Sequence, residues 1–238
     1  MQNSEIKAEV QSWLLDLPKG ATTRIQGWVN EAIRDACKRH NFRFMEAEQD
    51  FTTAARTREL GSKPARWKES RGLPYYIRQD GSAKEIEWAA SESDMVRTYA
   101  VDEPAEGNAA PVDEGPPRWL LERPDTIDVY PLPDEGSDWL DGNYRLVVPF
   151  WQYPEDLSAD NDENFITVEA PYYVIWKAAA LGMRWNRDME NALLLEAEAE
   201  KQFRRLERQD KLARLPDRMN LAVHADVYHG RSRRGQRG

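Results

Sequence analysis

The chain has 238 residues, room for one good-sized domain or for one domain with a substantial insertion, and its 40% apolar content suffices for a packed core. A net charge of −9 with 32% charged residues argues against an open cationic surface that grips nucleic acid, though not against a protein that surrounds DNA without holding it. The single cysteine, Cys37, excludes an internal disulfide and a cysteine metal cluster. MQNSEIKAEVQSW has neither the basic start nor the apolar core of a signal peptide, and no run has the apolar length of a membrane span, so a soluble protein of a reducing cytoplasm is expected.

Asn3 or Ser4 can cap a first helix whose apolar residues are Ile6, Val10, Trp13, Leu14 and Leu17, closed by Pro18 and Gly20. Thr22 or Thr23 then caps a second, with Ile25, Val29, Ala32, Ile33, Ala36 and Cys37 on one stripe. Beyond His40 the period changes. FRFMEAEQDFTT alternates as a half-buried strand does, and further short strands are expected at 74–79, 84–89, 94–101, 118–122, 126–132 and 144–153. Turn signals between them point to an antiparallel sheet or small sandwich.

Residues 102–117, rich in Pro, Gly, Ala and acid and without periodicity, read as an exposed mobile loop. Between positions 100 and 143 there are twelve Asp/Glu against Arg118 and Arg123, so this region carries 12 − 2 = 10 of the negative charges. The helical period returns at Thr167, where Val168, Tyr172, Ile175, Trp176, Ala179 and Met183 predict one broad apolar face, with Pro171 tolerable in the first turn. A long helix follows from Asn186 or Asp188, with Met189, Ala192, Leu193, Ala199, Phe203 and Leu206 as its stripe, and Pro216 stops it. The remainder is different in kind. Met219, Leu221, Val223, Ala225 and Val227 alternate in a strand-like arm without an evident partner, and GRSRRGQRG is basic.

The predicted fold class is therefore α+β. A helical body, made of an N-terminal helix or helix hairpin (1–41) and two C-terminal helices (167–215), carries an antiparallel β-rich insertion (42–166) and an extended basic arm (216–238).

The first candidate for chemistry is FWQYPEDLSADNDEN (150–164). Read as a calcium loop from Asp160, it needs Gly at its sixth position and a bidentate Glu at its twelfth, where Phe165 and Pro171 stand. Both requirements fail. A turn that leads into a capped helix is the better reading, because Ser158, Asp160 and Asn161 are turn formers and Asp162 or Asn164 can cap. His40, His224 and His229 lie in no triad context, Cys37 reads as an inert core thiol, and no glycine-rich phosphate loop is present. No catalytic residue, metal site or cofactor is expected, and the chain is not read as an enzyme. Trp119, Trp139, Trp151 and Tyr153 would suit a sugar platform only weakly, since packing is the commoner use of Trp in strands.

The order of the pieces carries a resemblance. Trp28 with Asn30 in WVNEAIRDAC leads to Phe51 with Thr52, then to Leu73-Pro74, Pro131-Leu132-Pro133 and the strand from Tyr144 to Pro154. A loop rich in Asp, Ser and Asn follows, then the alanine-rich run from Ala178 to Leu181. Over most of residues 20–212 this resembles the head-to-tail adaptor (connector) proteins of tailed bacteriophages, from which the basic 53–72 segment and the acidic 102–117 loop depart. The resemblance implies a virion neck protein assembled in the host cytoplasm. It implies a ring of copies of this chain, dodecameric, that binds the portal protein, meets tail or neck proteins and extends the channel for passing double-stranded DNA without binding it specifically; no membrane is involved.

On that reading a closing ring needs large anchors, and Phe150, Trp151, Tyr153 and Trp119 are the expected subunit contacts. Met219, Leu221, Val223, Val227 and Tyr228, with Arg231, Arg233 and Arg234, are the expected docking residues of the arm, which can extend a sheet edge or fill a groove. The rival readings are a tail-side neck or terminator ring, a non-catalytic carbohydrate-binding module using the Trp-rich β region, and an enzyme with an acidic site at Asp160 or Asp162.

Overall fold

A computed structural model describes residues 1–14, 20, 22–78, 81–93, 95, 114–134 and 143–214. The chain forms two compact units: one from 1–44 together with 154 onward, the other Met45–Tyr153. The architecture is mixed α and β, as the change of period along the chain requires.

The first unit is built from helices α1 (Asn3–Trp13), α2 (Ile25–Arg39), α3 (Phe165–Glu169), α4 (Pro171–Trp185) and α5 (Met189–Ala213). All six residues of the α2 stripe are buried. In α1, Ile6, Val10 and Leu14 are buried and Trp13 is exposed, while Leu17 and Pro18 lie outside the described residues. The caps differ from expectation. Gln2 rather than Asn3 or Ser4 precedes α1, its amide donating to the Glu5 carboxylate, because Asn3 is wholly buried and engaged elsewhere. Arg24 precedes α2 with no side-chain cap: a single 3₁₀ turn, Thr22–Arg24, leads in, and the Thr23 hydroxyl donates to the Gly20 carbonyl.

Helix α4 is the hub, packing against α1, α2 and α5. Its buried face is Tyr173, Val174, Ile175, Ala178, Ala179, Ala180 and Gly182, so the predicted phase was displaced. Of the expected face only Ile175 and Ala179 are buried; Val168 and Tyr172 are exposed. There are two causes. Ala170 interrupts the helix between α3 and α4, and a helix with three helical neighbours turns its small residues inward so that backbones approach closely. A Cβ placed on Gly182 would come within 2.8 Å of Leu14 Cδ1 and 3.0 Å of the Trp28 ring. In α5 the buried stripe is Ala192, Leu195, Ala199, Phe203, Leu206 and Asp210, a 3–4 spacing that leaves Met189 and Leu193 exposed.

The second unit carries eleven strands among its described residues, from β1 (Glu46–Thr52) to β11 (Arg145–Gln152). The long strand β11 organises a five-stranded sheet. Antiparallel β1 runs along one edge in unbroken register from Glu46 opposite Trp151 to Thr52 opposite Arg145. Two short strands share the other edge: β4 (Tyr75–Ile77) opposite Leu146 and Val147, and β3 (Trp67–Ser70) opposite Phe150 to Gln152. The handover falls at Val148 and Pro149, and an imide without an N–H is tolerated where a ladder is interrupted. Strand β5 (Ala83–Glu85) completes the sheet beside β4.

A four-stranded sheet runs β2 (Glu59–Ser62), β9 (Thr126–Tyr130), β8 (Trp119–Glu122), β6 (Glu87–Trp88). Both sheets contribute to one core of Phe51, Leu60, Tyr76, Ile86, Leu120, Ile127, Val129, Tyr144, Leu146 and Val148. The pairing is antiparallel except for two two-residue parallel pairs, β6 with β8 and β7 (Glu114–Gly115) with β10 (Leu132–Pro133). Strand β7 corrects one expectation. The 102–117 segment is not mobile throughout: residues 114–117 are ordered, with Gly115 and Pro117 buried, while 102–113 lie outside the described residues. Of the strand expected over 94–101 only Met95 is described, and it is helical rather than extended, its amide bonded to the Ser91 carbonyl and its side chain buried with Leu121 and Tyr130.

Strands β2 and β3 were not anticipated in the basic 53–72 segment. Gly61, at φ 152°, sits on an irregular register between Glu59 and Gly61, and the Phe51 ring lies 3.4 Å from where its Cβ would be.

Candidate functional site

The acidic run of 155–164 belongs to the helical unit, and its side chains are used for tying. The Asp162 carboxylate accepts the amides of Ser158 and Ala159, both at 2.7 Å, and these two amides hold its pKa below the usual carboxylate range. Asn164 caps α3, accepting the Thr167 amide, while the Thr167 hydroxyl accepts the Asn164 amide in return.

The carbonyls of the run then serve α1. Asp162 O accepts the Asn3 amide at 3.0 Å and Asp160 O accepts the Ser4 amide at 2.9 Å, satisfying donors that a helix start leaves over. The buried Asn3 side chain donates to both Gln26 Oε1 and the Ala159 carbonyl. On α2, Gln26 and Asn30 both reach the Leu157 backbone, and Arg34 pairs with Asp156. Lys7 meets Asp160 at 2.5 Å. The run is thus a strap that binds α1 and α2 together and delivers the chain, capped, into α3.

A second belt joins α2, α4 and α5. The Tyr173 hydroxyl donates to Asp35 at 3.0 Å, and burial with the Asp35 charge pushes its pKa well above the ordinary phenol range. Arg39 bonds Glu200 at 2.6 Å while its guanidinium lies 3.8 Å from the centre of the Phe203 ring. At the far end of α5, buried Asp210 accepts the Arg43 amide, His40 Nε2 and Arg214, all at 2.9 Å. Burial raises its pKa, but these donors outweigh it and hold the carboxyl below its ordinary value.

His40 serves Asp210, Cys37 is buried, and among the described residues no group of three or more His, Cys, Asp or Glu is placed to hold a metal. Among them too, no helix is long and apolar enough to cross a membrane.

The expected contact aromatics divide. Phe150 is buried and stacks on Trp67 with ring centres 4.5 Å apart, and Trp151 is buried with Arg71 over its ring. Tyr153 and Trp119 are half-buried and present some ring surface. Of the four aromatics that would have made a sugar platform, Trp151 is therefore inside and Trp139 is outside the described residues. All eight residues expected to dock, from Met219 to Arg234, also lie outside the described residues.

Sequence reasoning missed one surface. Trp185, Met189, Leu193 and Leu194 gather in sequence around the tight turn between α4 and α5, each 40–63% exposed. The spacing of Met189 and Leu193 put them on the predicted core stripe; only the true phase of α5, set by Leu195 and Asp210, turns them outward. A model of the family described as SU10 adaptor protein matches residues 1–223. The chain belongs to the SU10 adaptor protein family. No curated protein matches it. As an SU10 adaptor it is a structural component of a phage particle that interacts with other virion proteins. The matched span runs through both units and past the last described helix to residue 223.

Proposed function

We propose that this SU10 adaptor is a head-to-tail adaptor of the virion neck, which assembles as a ring on the portal protein and extends the DNA channel towards the tail. The observation that carries the reading is the family match over residues 1–223, joined to an arrangement in which acids and amides are spent on bracing. Support comes from the exposed apolar elbow of Trp185, Met189, Leu193 and Leu194, a surface that water disfavours and a neighbouring virion protein would cover. A channel lining must let phosphate slide past, and the acidic balance of the chain suits that role.

In this reading the arm from 216 to 238 is the docking element, its apolar residues Met219, Leu221 and Val223 seating in a partner and Arg231, Arg233 and Arg234 meeting acidic surface. Tyr153 and Trp119 keep the part of subunit contacts; Phe150 and Trp151, both buried, belong to the packing of the fold. Co-sedimentation with purified portal rings and, separately, with isolated tails tests the reading. Attachment to portal that disappears when residues 216–238 are deleted is the expected result. Attachment to tails alone, or undiminished portal attachment by the truncated chain, overturns it.

A further inference from the structure

Strand β1 is the long open edge of the five-stranded sheet, and the direction of its backbone groups is fixed. The Thr53 amide donates to the Tyr144 carbonyl at 2.9 Å, continuing the register in which Thr52 stands opposite Arg145. Bonded and non-bonded pairs alternate along an antiparallel ladder, so Ala47, Gln49 and Phe51 turn their N–H and C=O groups to β11. Glu46, Glu48, Asp50 and Thr52 turn theirs the other way. Strand β11 agrees: the Pro149 carbonyl, opposite Glu48, faces away from β1 and accepts the Arg71 amide at 3.0 Å. Among the described residues only Gln49 Nε2 meets this outward row, at the Asp50 carbonyl. Glu48, Gln49, Asp50 and Thr52 are exposed. The opposite edge, β5, is three residues long.

A seven-residue edge with free backbone groups is a template for another strand unless its side chains discourage one. The two faces of β1 decide which strand fits. Phe51 belongs to the core shared by the two sheets, so Ala47 and Gln49 lie on that face with it. Glu46, Glu48 and Asp50 lie on the other. Pairing β1 with β1 of a second copy would set acids beside acids, which is destabilising. Two of the three acids are already neutralised within the sheet, Glu46 by Arg71 at 2.8 Å and Asp50 by Arg145. Exposed Glu48, between them, has no ion pair among the described residues. The edge therefore repels its own copy and leaves one carboxylate for an incoming cation.

We propose that β1 is a strand-addition site for a protein partner: an extended segment that sets a lysine or arginine beside Glu48 and apolar side chains beside Ala47 and Phe51. Main-chain bonds to Glu46, Glu48, Asp50 and Thr52 supply the docking, and the alternation of cationic with apolar residues selects the segment. The site uses neither the arm nor Tyr153 and Trp119, so it goes beyond the adaptor reading and does not depend on it.

Residue-resolved amide exchange on the full chain tests the proposal, with two capped hexapeptides as probes at millimolar concentration. One alternates lysine with valine, the other glutamate with valine. In the free chain the amides of Glu48, Asp50 and Thr52 should exchange freely while those of Ala47, Gln49 and Phe51 are protected. The lysine peptide should slow the outward amides about tenfold, and the glutamate peptide should leave them fast. Glu48→Lys should exchange this preference. Glu48→Pro should abolish the effect of both peptides at a nearly unchanged melting temperature, because proline is tolerated where the N–H of an edge strand faces outward. Outward amides protected before any peptide is added, no slowing by the lysine peptide, or equal slowing by both would overturn the proposal. So would slowing by a rise in protein concentration alone, which would make a second copy the occupant. Portal attachment is read separately and is untouched by any of these results.

Discussion

Asn30 of α2 pairs with Leu157 as a strand would, its Nδ2 donating to the Leu157 carbonyl at 3.1 Å and its Oδ1 accepting the Leu157 amide at 3.0 Å. Leu157 is 4% exposed, so water cannot replace either bond. Asn30→Ala leaves the buried Leu157 N–H without its partner, while the Leu157 C=O keeps the Gln26 amide, and is expected to cost about 1–2 kcal/mol. Asn30→Asp, which keeps the acceptor and loses the donor, should fall between. Denaturant melts of the three proteins check the order, and an Asn30→Ala change below about 0.5 kcal/mol would show that the strap is not held there.

Asp162 and Asp210, two of the carboxylates held below their ordinary pKa, make the strap and the end of α5 sensitive to acid. For Asp162 and Asp210 alike, the folded-state pKa lies below the ordinary value of about 3.9. Each therefore contributes stability that is complete above that value and is lost as pH falls through the folded-state pKa. Asp210→Asn keeps an acceptor but removes the charge facing His40 and Arg214, and is expected to destabilise by about 1–3 kcal/mol at neutral pH. The same variant should lose less of its melting temperature than the wild type between about pH 5 and pH 2. A parallel fall in both proteins would assign the acid sensitivity to other groups.

What was legible in the sequence was what a single periodicity can carry. The α2 stripe is complete because that helix buries one ordinary face, and β11 stands out because six consecutive apolar residues, Leu146 to Trp151, need a buried sheet centre. The family resemblance was legible in the order of the pieces, and Asn30, one of the residues that carried it, turns out to hold the strap. Phase was lost where a helix has several neighbours. In α4 the small residues Ala178 to Ala180 and Gly182 face inward and Tyr172 outward, the reverse of what size suggests. Strands β2 and β3 gave no alternation, because each holds one apolar residue and draws its stability from partners far along the chain, Trp67 from Phe150 above all. The stacked pair of Phe44 and Phe165 was invisible for a similar reason: the two residues are 121 positions apart.

Two helical glycines should respond in opposite directions. Nothing lies within 4 Å of a Cβ on exposed Gly27, so Gly27→Ala gains helix propensity and is expected to stabilise by about 0.5–1 kcal/mol. At Gly182 the added atoms meet the Leu14 side chain at 2.8 Å and the Trp28 ring at 3.0 Å, so both side chains must shift in a packed site. Gly182→Val is expected to cost about 2–3 kcal/mol. Thermal melts of both variants decide it, and a neutral Gly182→Val would mean that the close approach of α4 to α1 and α2 is loose.

The aromatic pair at the end of β11 separates folding from assembly. Phe150 is 2% exposed and stacked on Trp67 across the β11–β3 pairing, so Phe150→Ala opens a cavity in a buried site. A loss of about 3–4 kcal/mol is expected for the isolated chain, whatever it assembles with. Tyr153 is half-buried, and its main chain is held independently of its ring by the amide bond to the Arg66 carbonyl at 2.8 Å. Its ring can be removed without opening the core, so Tyr153→Ala should change the stability of the isolated chain by less than about 1 kcal/mol. If Tyr153 faces a neighbouring copy, the same variant should raise the concentration at which rings form by roughly tenfold, the scale of one aromatic anchor at an interface. Sedimentation velocity over a concentration series reads the second effect and chemical denaturation the first. Unchanged assembly by Tyr153→Ala would remove this face from the ring contact and leave the elbow of Met189, Leu193 and Leu194 as the next surface to mutate.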